Sequence, residues 1–294
     1  MTAEKTFTPR DPSRTLEWIT VLSAAGLDYR LSRDADGWKL HVPLPHVKVA
    51  EAELCAYERE RFPPPDPPVS EPLPGVRNAG WAAFWFAHTL LLFYIWLGPF
   101  SMGQSVHMAG ASEAGLVMAG QWWRTLTSMT LHSGPPHLIS NMLFILLMGR
   151  FVLRELGLGV GLLLILAGGM LGNTVAAAIA APTQISVGAS GMCFAALGIM
   201  STQQTVGAYR HCRRWRTVWP RAWIPMAAGI ALLGIMGTAP HTDVVAHAAG
   251  FLSGGLLALP FSLSGAGWMP DYMQRLLLIT VFVALPAAWG IALL

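Results

Sequence analysis

The amino-acid sequence predicts an all-α polytopic membrane protein preceded by a small α+β soluble domain, and three observations carry that prediction. The 294 residues are 53% hydrophobic and only 12% charged, with a mean hydropathy of +0.48; soluble domains average about 25% charged residues. The charge is unevenly spread: residues 1–78 hold Lys5, Lys39, Lys48, seven arginines and twelve of the 16 acids. The remainder has nine arginines and only Glu113, Glu155, Asp243 and Asp271 as acids. Seven apolar segments then approach the roughly 20 residues needed to cross a bilayer. Two regions suited to different solvents are therefore joined in one chain.

Residues 1–62 read as the soluble domain. The opening MTAEKTFTPRDPSRTLEW has no apolar core of a signal peptide, so no cleaved secretory signal is expected. From Thr15 to Ala25 the residues Leu16, Ile19, Leu22 and then Leu27 recur at helical spacing. YRLSRDADGWKLHVPL follows as two short alternating runs around Asp36-Gly37, a hairpin signal. VAEAELCAYERERF is a second helix, giving an α-β-β-α order. No motif in it names a partner. Residues 63–79, with PPPDPPVSEPLPG, form an extended proline-rich linker. Cys55, Cys193 and Cys212 have no paired spacing, so neither a disulfide framework nor a zinc site is expected. No other metal, cofactor or nucleic-acid partner is implied.

The spans lie near 80–100, 136–153, 158–181, 187–208, 221–238, 243–263 and 273–294. Residues 80–265 thus make a six-helix bundle, and 266–294 add a seventh, C-terminal helix. Between the first two spans runs a long loop, 101–135, in which Trp122 and Trp123 suit the headgroup interface. Arginine sets the orientation. Arg77 precedes span one, Arg150 and Arg154 separate spans two and three, and Arg275 separates six and seven. Arg210, Arg213, Arg214, Arg216 and Arg221 separate four and five, and only Arg124 falls on the other side. The positive-inside rule then puts the N-terminus in the cytoplasm and the C-terminus outside. That orientation, with no targeting segment, points to the plasma membrane of a bacterium.

Even-numbered spans then all enter from the outer face. His137 heads span two, Ser190 lies a few residues into span four, and His247 about a turn into span six. Asn141 is one turn below His137 on the same face. Alone, Ser190 reads equally as a packing serine, and either histidine as a capping or headgroup-level group. Ionisable residues inside a membrane are expensive, and their convergence on one layer favours function. Ala246, Gly250 and Gly254 form a smooth ridge on span six, and Gly191, Ala195 and Gly198 one on span four. Such ridges let helix axes approach closely. Ser190 then comes within reach of His247, whose imidazole can take the hydroxyl proton during attack on a carbonyl.

With four motifs in this order, the sequence resembles the rhomboid intramembrane serine proteases over about residues 80–265. The motifs are Trp123-Arg124, HxxxN at His137–Asn141, GxSG at Gly188–Gly191, and AHxxGxxxG at Ala246–Gly254. The resemblance implies Ser190 as nucleophile and His247 as general base, a dyad without a third acid. It implies an oxyanion hole from the side chains of His137 and Asn141 and the backbone N–H of Ser190, and substrate access over Gly188. Many relatives have tyrosine where this chain has Phe194, which can still stack on the histidine but offers no hydroxyl. His132 resembles a loop-structuring histidine. Asp243, one turn before His247, could orient it, although the resemblance favours a dyad. The resemblance also makes span five a lateral gate and residues 239–243 a cap.

The function implied is endoproteolysis of transmembrane proteins, with the lipid bilayer as the other partner. A catalytically silent relative that binds and escorts membrane proteins is the alternative, and a small transporter is a third reading. Transporters tend to show internal repeats and a polar site at the bilayer midplane. This chain has no evident repeat, and its polar layer lies towards one face.

Overall fold

The computed structural model describes residues 4–9, 14–34, 37–61, 78–212, 224, 227–228, 231, 243–264 and 269–294. The linker residues 63–77, the arginines 213–221, nearly all of the expected fifth span and the cap residues 239–242 lie outside the described residues. The chain divides into two compact units, Met1–Glu71 and Pro72–Leu294.

In the first unit, β1 (Glu4–Phe7), α1 (Thr15–Ala24), β2 (Arg30–Asp34), β3 (Gly37–Pro43) and α2 (Val47–Arg61) follow one another. The sheet is antiparallel with order β1-β3-β2. Strand β1 is an addition to the expected α-β-β-α order. Its four residues are too short to register as an alternating run, and pairing of Phe7 with Leu40 on the central strand fixes it. Asp34 pairs with Gly37, so the two connecting residues are 35–36, outside the described residues, and Gly37 starts β3 rather than filling the turn. Leu22, Leu40, Val42, Ala50 and Leu54 form the core. Fully burying such aliphatic side chains is worth about 1.5–3 kcal/mol each. Leu16 belongs to the apolar periodicity of α1 but is exposed. Glu58 on α2 ties the helices together, accepting from Trp18 Nε1 at 2.7 Å and Arg14 at 2.9 Å.

The second unit is a polytopic membrane fold. Its long helices are α3 (Ala79–Leu97), then α7 (Pro135–Leu156), α8 (Leu158–Ile179), α9 (Ser190–Cys212), α10 (Val244–Ser264) and α11 (Asp271–Ala292). Among the described residues, five of these are long and apolar enough to cross a membrane. Helix α9 has 23 residues but is not one of the five, since STQQT in its second half lowers its hydropathy. On α3, Ala79, Ala83, Phe86, Ala87 and Leu90 make a buried stripe at helical spacing, while Trp81, Trp85, Leu92 and Ile95 face outward. A π turn, Ile145–Gly149, interrupts α7.

The loop after α3 is folded. It contains α4 (Ser105–Gly110), β4 (Ser112–Glu113), α5 (Ala114–Met118) and α6 (Arg124–Thr127). Strand β4 pairs with β5 (Ile185–Ser186), directly ahead of α9. Trp122 is exposed, but Trp123 packs against the main core. Arg124 is buried rather than interfacial, and donates to Gln121 Oε1 and to the carbonyls of Met108 and Ala111. Consecutive residues at a helix start point about 100° apart, so one Trp faces out while its neighbour faces in.

Helices α8, α9 and α10 meet backbone to backbone. A Cβ added at Gly254 would lie 2.7 Å from Ala195 Cα, one at Gly172 2.7 Å from Gly250 Cα, and one at Gly168 2.7 Å from Ala195 Cβ. The ridges expected on spans four and six are in contact, and a third, Gly168–Gly172 on α8, joins them. Lipid is as apolar as leucine, so this association rests on van der Waals packing. Gly254→Val should therefore push α9 and α10 apart at a cost of about 1–3 kcal/mol or more. A thermal-melting series in detergent should show the fall; an unchanged melting temperature would mean that the helices do not touch there.

Candidate active site

The site is assembled where α9 begins. Gly188, with φ +124°, occupies a conformation that side-chain-bearing residues rarely adopt. Its N–H donates to the Ser128 carbonyl at 2.9 Å, and the next N–H, of Ala189, donates to His132 Nε2 at 3.4 Å. Ala189 O accepts from Cys193 N at 3.1 Å, the first helical bond. Ser190 is half-buried at the first position of the helix. The N–H groups of that first turn have no partner within the helix and form its positive end.

Helix α7 brings two side chains over the same glycine. A Cβ at Gly188 would lie 2.5 Å from His137 Cε1, 2.6 Å from its Nε2 and 3.7 Å from Asn141 Nδ2. Ser133 Oγ lies 3.1 Å from His137 Nδ1, leaving Nε2 towards Gly188. Asn141 is buried, with Oδ1 facing the Cys193 thiol at 3.7 Å, and among the described residues its Nδ2 has no partner. A donor amide thus points into the space above Gly188.

Helix α10 supplies His247, buried and stacked on Phe194 with centroids 4.5 Å apart and planes at 25°. Phe194 is one turn after Ser190 on the same face of α9, a rise of about 6 Å. Ser190 and His247 are therefore brought to adjoining turns. Among the described residues the Ser190 hydroxyl makes no hydrogen bond, and His247 Nδ1 has no partner. Catalytic hydrogen bonds are often long or misaligned in substrate-free structures. Asp243 does not orient the imidazole; its Oδ1 accepts from Ala246 N at 2.9 Å and caps α10.

A small cleft is lined in part by Asn173, Ser186 and Asp243, and none of His137, Asn141, Ser190 or His247 lines it. Asn173 Nδ2 donates to the Thr125 carbonyl at 2.8 Å, while a Cβ at Gly191 would lie 3.1 Å from its Oδ1. It fastens the loop to α8 next to Ser190. Sequence reasoning passed it over, although a lone asparagine within LGNTVAAA is the signal that finds it. His107 was also missed. It accepts from Ser101 N and pairs with Leu97 O, both at 2.9 Å, closing the loop onto α3. Among the described residues no group of three or more His, Cys, Asp or Glu is arranged to hold a metal ion.

The fold and this cluster define a multi-pass membrane protein with a polar site built at helix N-termini. Residues 119–264 match the rhomboid domain. The chain is 31% identical over 167 residues to RHOMBOID-like protein 1 of Arabidopsis thaliana, covering 56% of this chain and 41% of that protein. It is 32% identical over 165 residues to RHOMBOID-like protein 4 of the same plant, covering 55% of this chain and 39% of that protein. It is 32% identical over 176 residues to Rhomboid protease GluP of Bacillus subtilis (strain 168), covering 60% of this chain and 32% of that protein. The chain thus spans about two-fifths of these relatives' length or less. It belongs to the rhomboid family.

His132 gives the site scaffold a pH dependence. Burial, helped by nearby His137, holds its pKa down to about 4 from the usual 6.5. Only the neutral ring can accept from Ala189 N–H. Between those two values the unfolded chain binds the extra proton, so stability is lost as the pH falls from about 6.5 towards 4. The melting temperature of the wild type should drop across that window. His132→Gln should drop less; parallel curves would remove His132 as the cause.

Proposed function

We propose that the chain is a serine endopeptidase that cuts transmembrane proteins in or near their membrane-spanning segments. The observation that carries this reading is the convergence of His137 and Asn141 on the backbone at Gly188, two residues before the Ser190 hydroxyl. In this mechanism Ser190 Oγ attacks the scissile carbonyl carbon while His247 takes its proton. The carbonyl π electrons move to oxygen, and the anion is met by the Ser190 N–H, the Asn141 Nδ2–H and His137. Preorganised donors of this kind are worth about 3–4 kcal/mol each when removed singly. Collapse of the adduct breaks the C–N bond as His247 protonates the leaving amine. Water, deprotonated by the same imidazole, then hydrolyses the acyl-enzyme. Phe194 supports the base by stacking.

The substrate must present an unwound stretch, because helical carbonyls are hydrogen-bonded and covered. A residue with any side chain at 188 would fill the groove above the glycine, so Gly188 keeps the approach open. In the orientation we favour, the arginine-rich ends of the spans face the cytoplasm with the N-terminal unit, in the plasma membrane of a bacterium. A second reading, a silent relative that binds membrane proteins, draws on the missing hydrogen bond between Ser190 and His247.

A fluorophosphonate probe separates the two. Wild type should be labelled and should cleave a reporter transmembrane substrate in liposomes. Ser190→Ala should lose both, with cleavage down at least about 1,000-fold and melting unchanged. Cleavage persisting in that variant would rule out the nucleophile assignment.

A further inference from the structure

Helix α11 lies beyond the matched residues 119–264, yet it is fastened into the unit at both ends. At its start, Gln274 Nε2 donates to the Leu156 carbonyl at 2.9 Å, and Oε1 accepts from Gly159 N at 2.9 Å and Val160 N at 3.1 Å. One amide thereby caps the end of α7 and the beginning of α8. The glycines make room for it: a Cβ at Gly157 would lie 2.6 Å from Gln274 Cδ, and one at Gly159 2.9 Å from Gln274 Cα.

At its other end, Trp289 is buried in the loop that follows α3. Its indole covers Gly110, where a Cβ would lie 2.9 Å from Cζ2, and is nearly parallel to Phe93 at 6.3 Å. Its Nε1–H donates to Thr130 Oγ1 at 3.1 Å, and Thr130 in turn donates to the Thr127 carbonyl at 2.7 Å. The Thr127 hydroxyl donates to the Gly110 carbonyl at 2.7 Å. The indole therefore grips both sides of one loop.

That segment also carries the backbone of the site. Ser128 O accepts from Gly188 N, and His132 Nε2 accepts from Ala189 N. We propose that Trp289 is a positioning residue for the protease, with α11 bracing the 127–132 segment from which Gly188 and Ala189, the two residues ahead of Ser190, are hung. This rests on the reading of the chain as a protease. It makes catalytic geometry dependent on a helix outside the shared domain.

The test uses the full chain in liposomes. Trp289→Phe keeps the ring and removes the donor; Trp289→Ala removes both; Gln274→Ala loosens the far end of the same helix. Trp289→Phe should lower kcat about five- to tenfold, the effect of one hydrogen bond, with KM unchanged, and slow fluorophosphonate labelling of Ser190 by the same factor. Trp289→Ala should lose more. Gln274→Ala should lower the melting temperature while kcat holds. Hydrogen exchange at Gly188 and Ala189 should quicken in both Trp289 variants and not in Gln274→Ala. The proposal is overturned if the Trp289 variants melt earlier with kcat and labelling intact, or if Gln274→Ala reproduces their loss of kcat. Should the wild type neither cleave nor label, the protease reading fails, and unchanged exchange at Gly188 and Ala189 in Trp289→Phe would dispose of the brace separately.

Discussion

A serine and a histidine on separate helices can meet only if the axes approach closely, because the serine side chain is short. The approach here is set by glycine and alanine. Gly250 sits against the backbone of Gly191, Gly254 against Ala195, and Gly168 and Gly172 close the third side. A β-carbon added at Gly250 or Gly254 would overlap the facing backbone, so the helices would have to move apart. The same contact puts Phe194 flat against His247. On the proposed mechanism packing and site are one feature: the smooth ridges that join the helices also set His247 against the turn that follows Ser190.

The loop between α3 and α7 solves a different problem. Buried non-helical backbone must satisfy its polar groups internally. Arg124 does so for Met108 and Ala111, Thr127 for Gly110, and Asn173 for Thr125. His107 closes the near end. These bonds also make the loop stiff enough to act as a template, since Ser128 and His132 fix the two residues ahead of Ser190. A buried arginine donating to carbonyls therefore serves the site without approaching it.

Much of this was legible in the sequence, and for particular reasons. Five of the seven expected spans follow from length and apolarity; the fourth is a less apolar helix, and nearly all of the fifth lies outside the described residues. The α9 and α10 ridges follow from small residues every three or four positions, and the closeness of His137 and Asn141 to Gly188 follows from their place at the head of α7. The third ridge escaped because Gly168, Gly169 and Gly172 lie in a run where every residue is small or apolar, so no contrast marks the buried face. The packing of Trp123 against the core was not legible because an indole suits an interface as well as a folded loop, and local sequence does not say which carbonyls lie near Arg124. Strand β1 depends on pairing with β3, a contact some 35 residues away. Gln274 and Trp289 escaped because caps between distant helices leave no local signature.

Among the described residues, His247 Nδ1, Asn141 Nδ2 and His132 Nδ1 are buried without partners around the proposed centre, and the first two bear on the chemistry differently. Asp243 Oδ1 is occupied as a helix cap, and among the described residues His247 Nδ1 has no partner, so no hydrogen-bonded carboxylate backs an imidazolium at His247. Stacking on Phe194 fixes the plane of the base but does not stabilise its charged form through a hydrogen bond. On the proposed mechanism the anionic half of the transition state must then carry more of the stabilisation. Asn141 is suited to that. Its carbonyl is turned to a weak thiol donor, its amide is aimed over Gly188, and a buried unpartnered donor costs about 1–3 kcal/mol in the resting state. That cost is recovered only when an acceptor arrives, and a developing oxyanion is a stronger acceptor than the ground-state carbonyl. On the proposed mechanism, an amide that meets a strong acceptor only in the transition state supplies the differential on which catalysis depends.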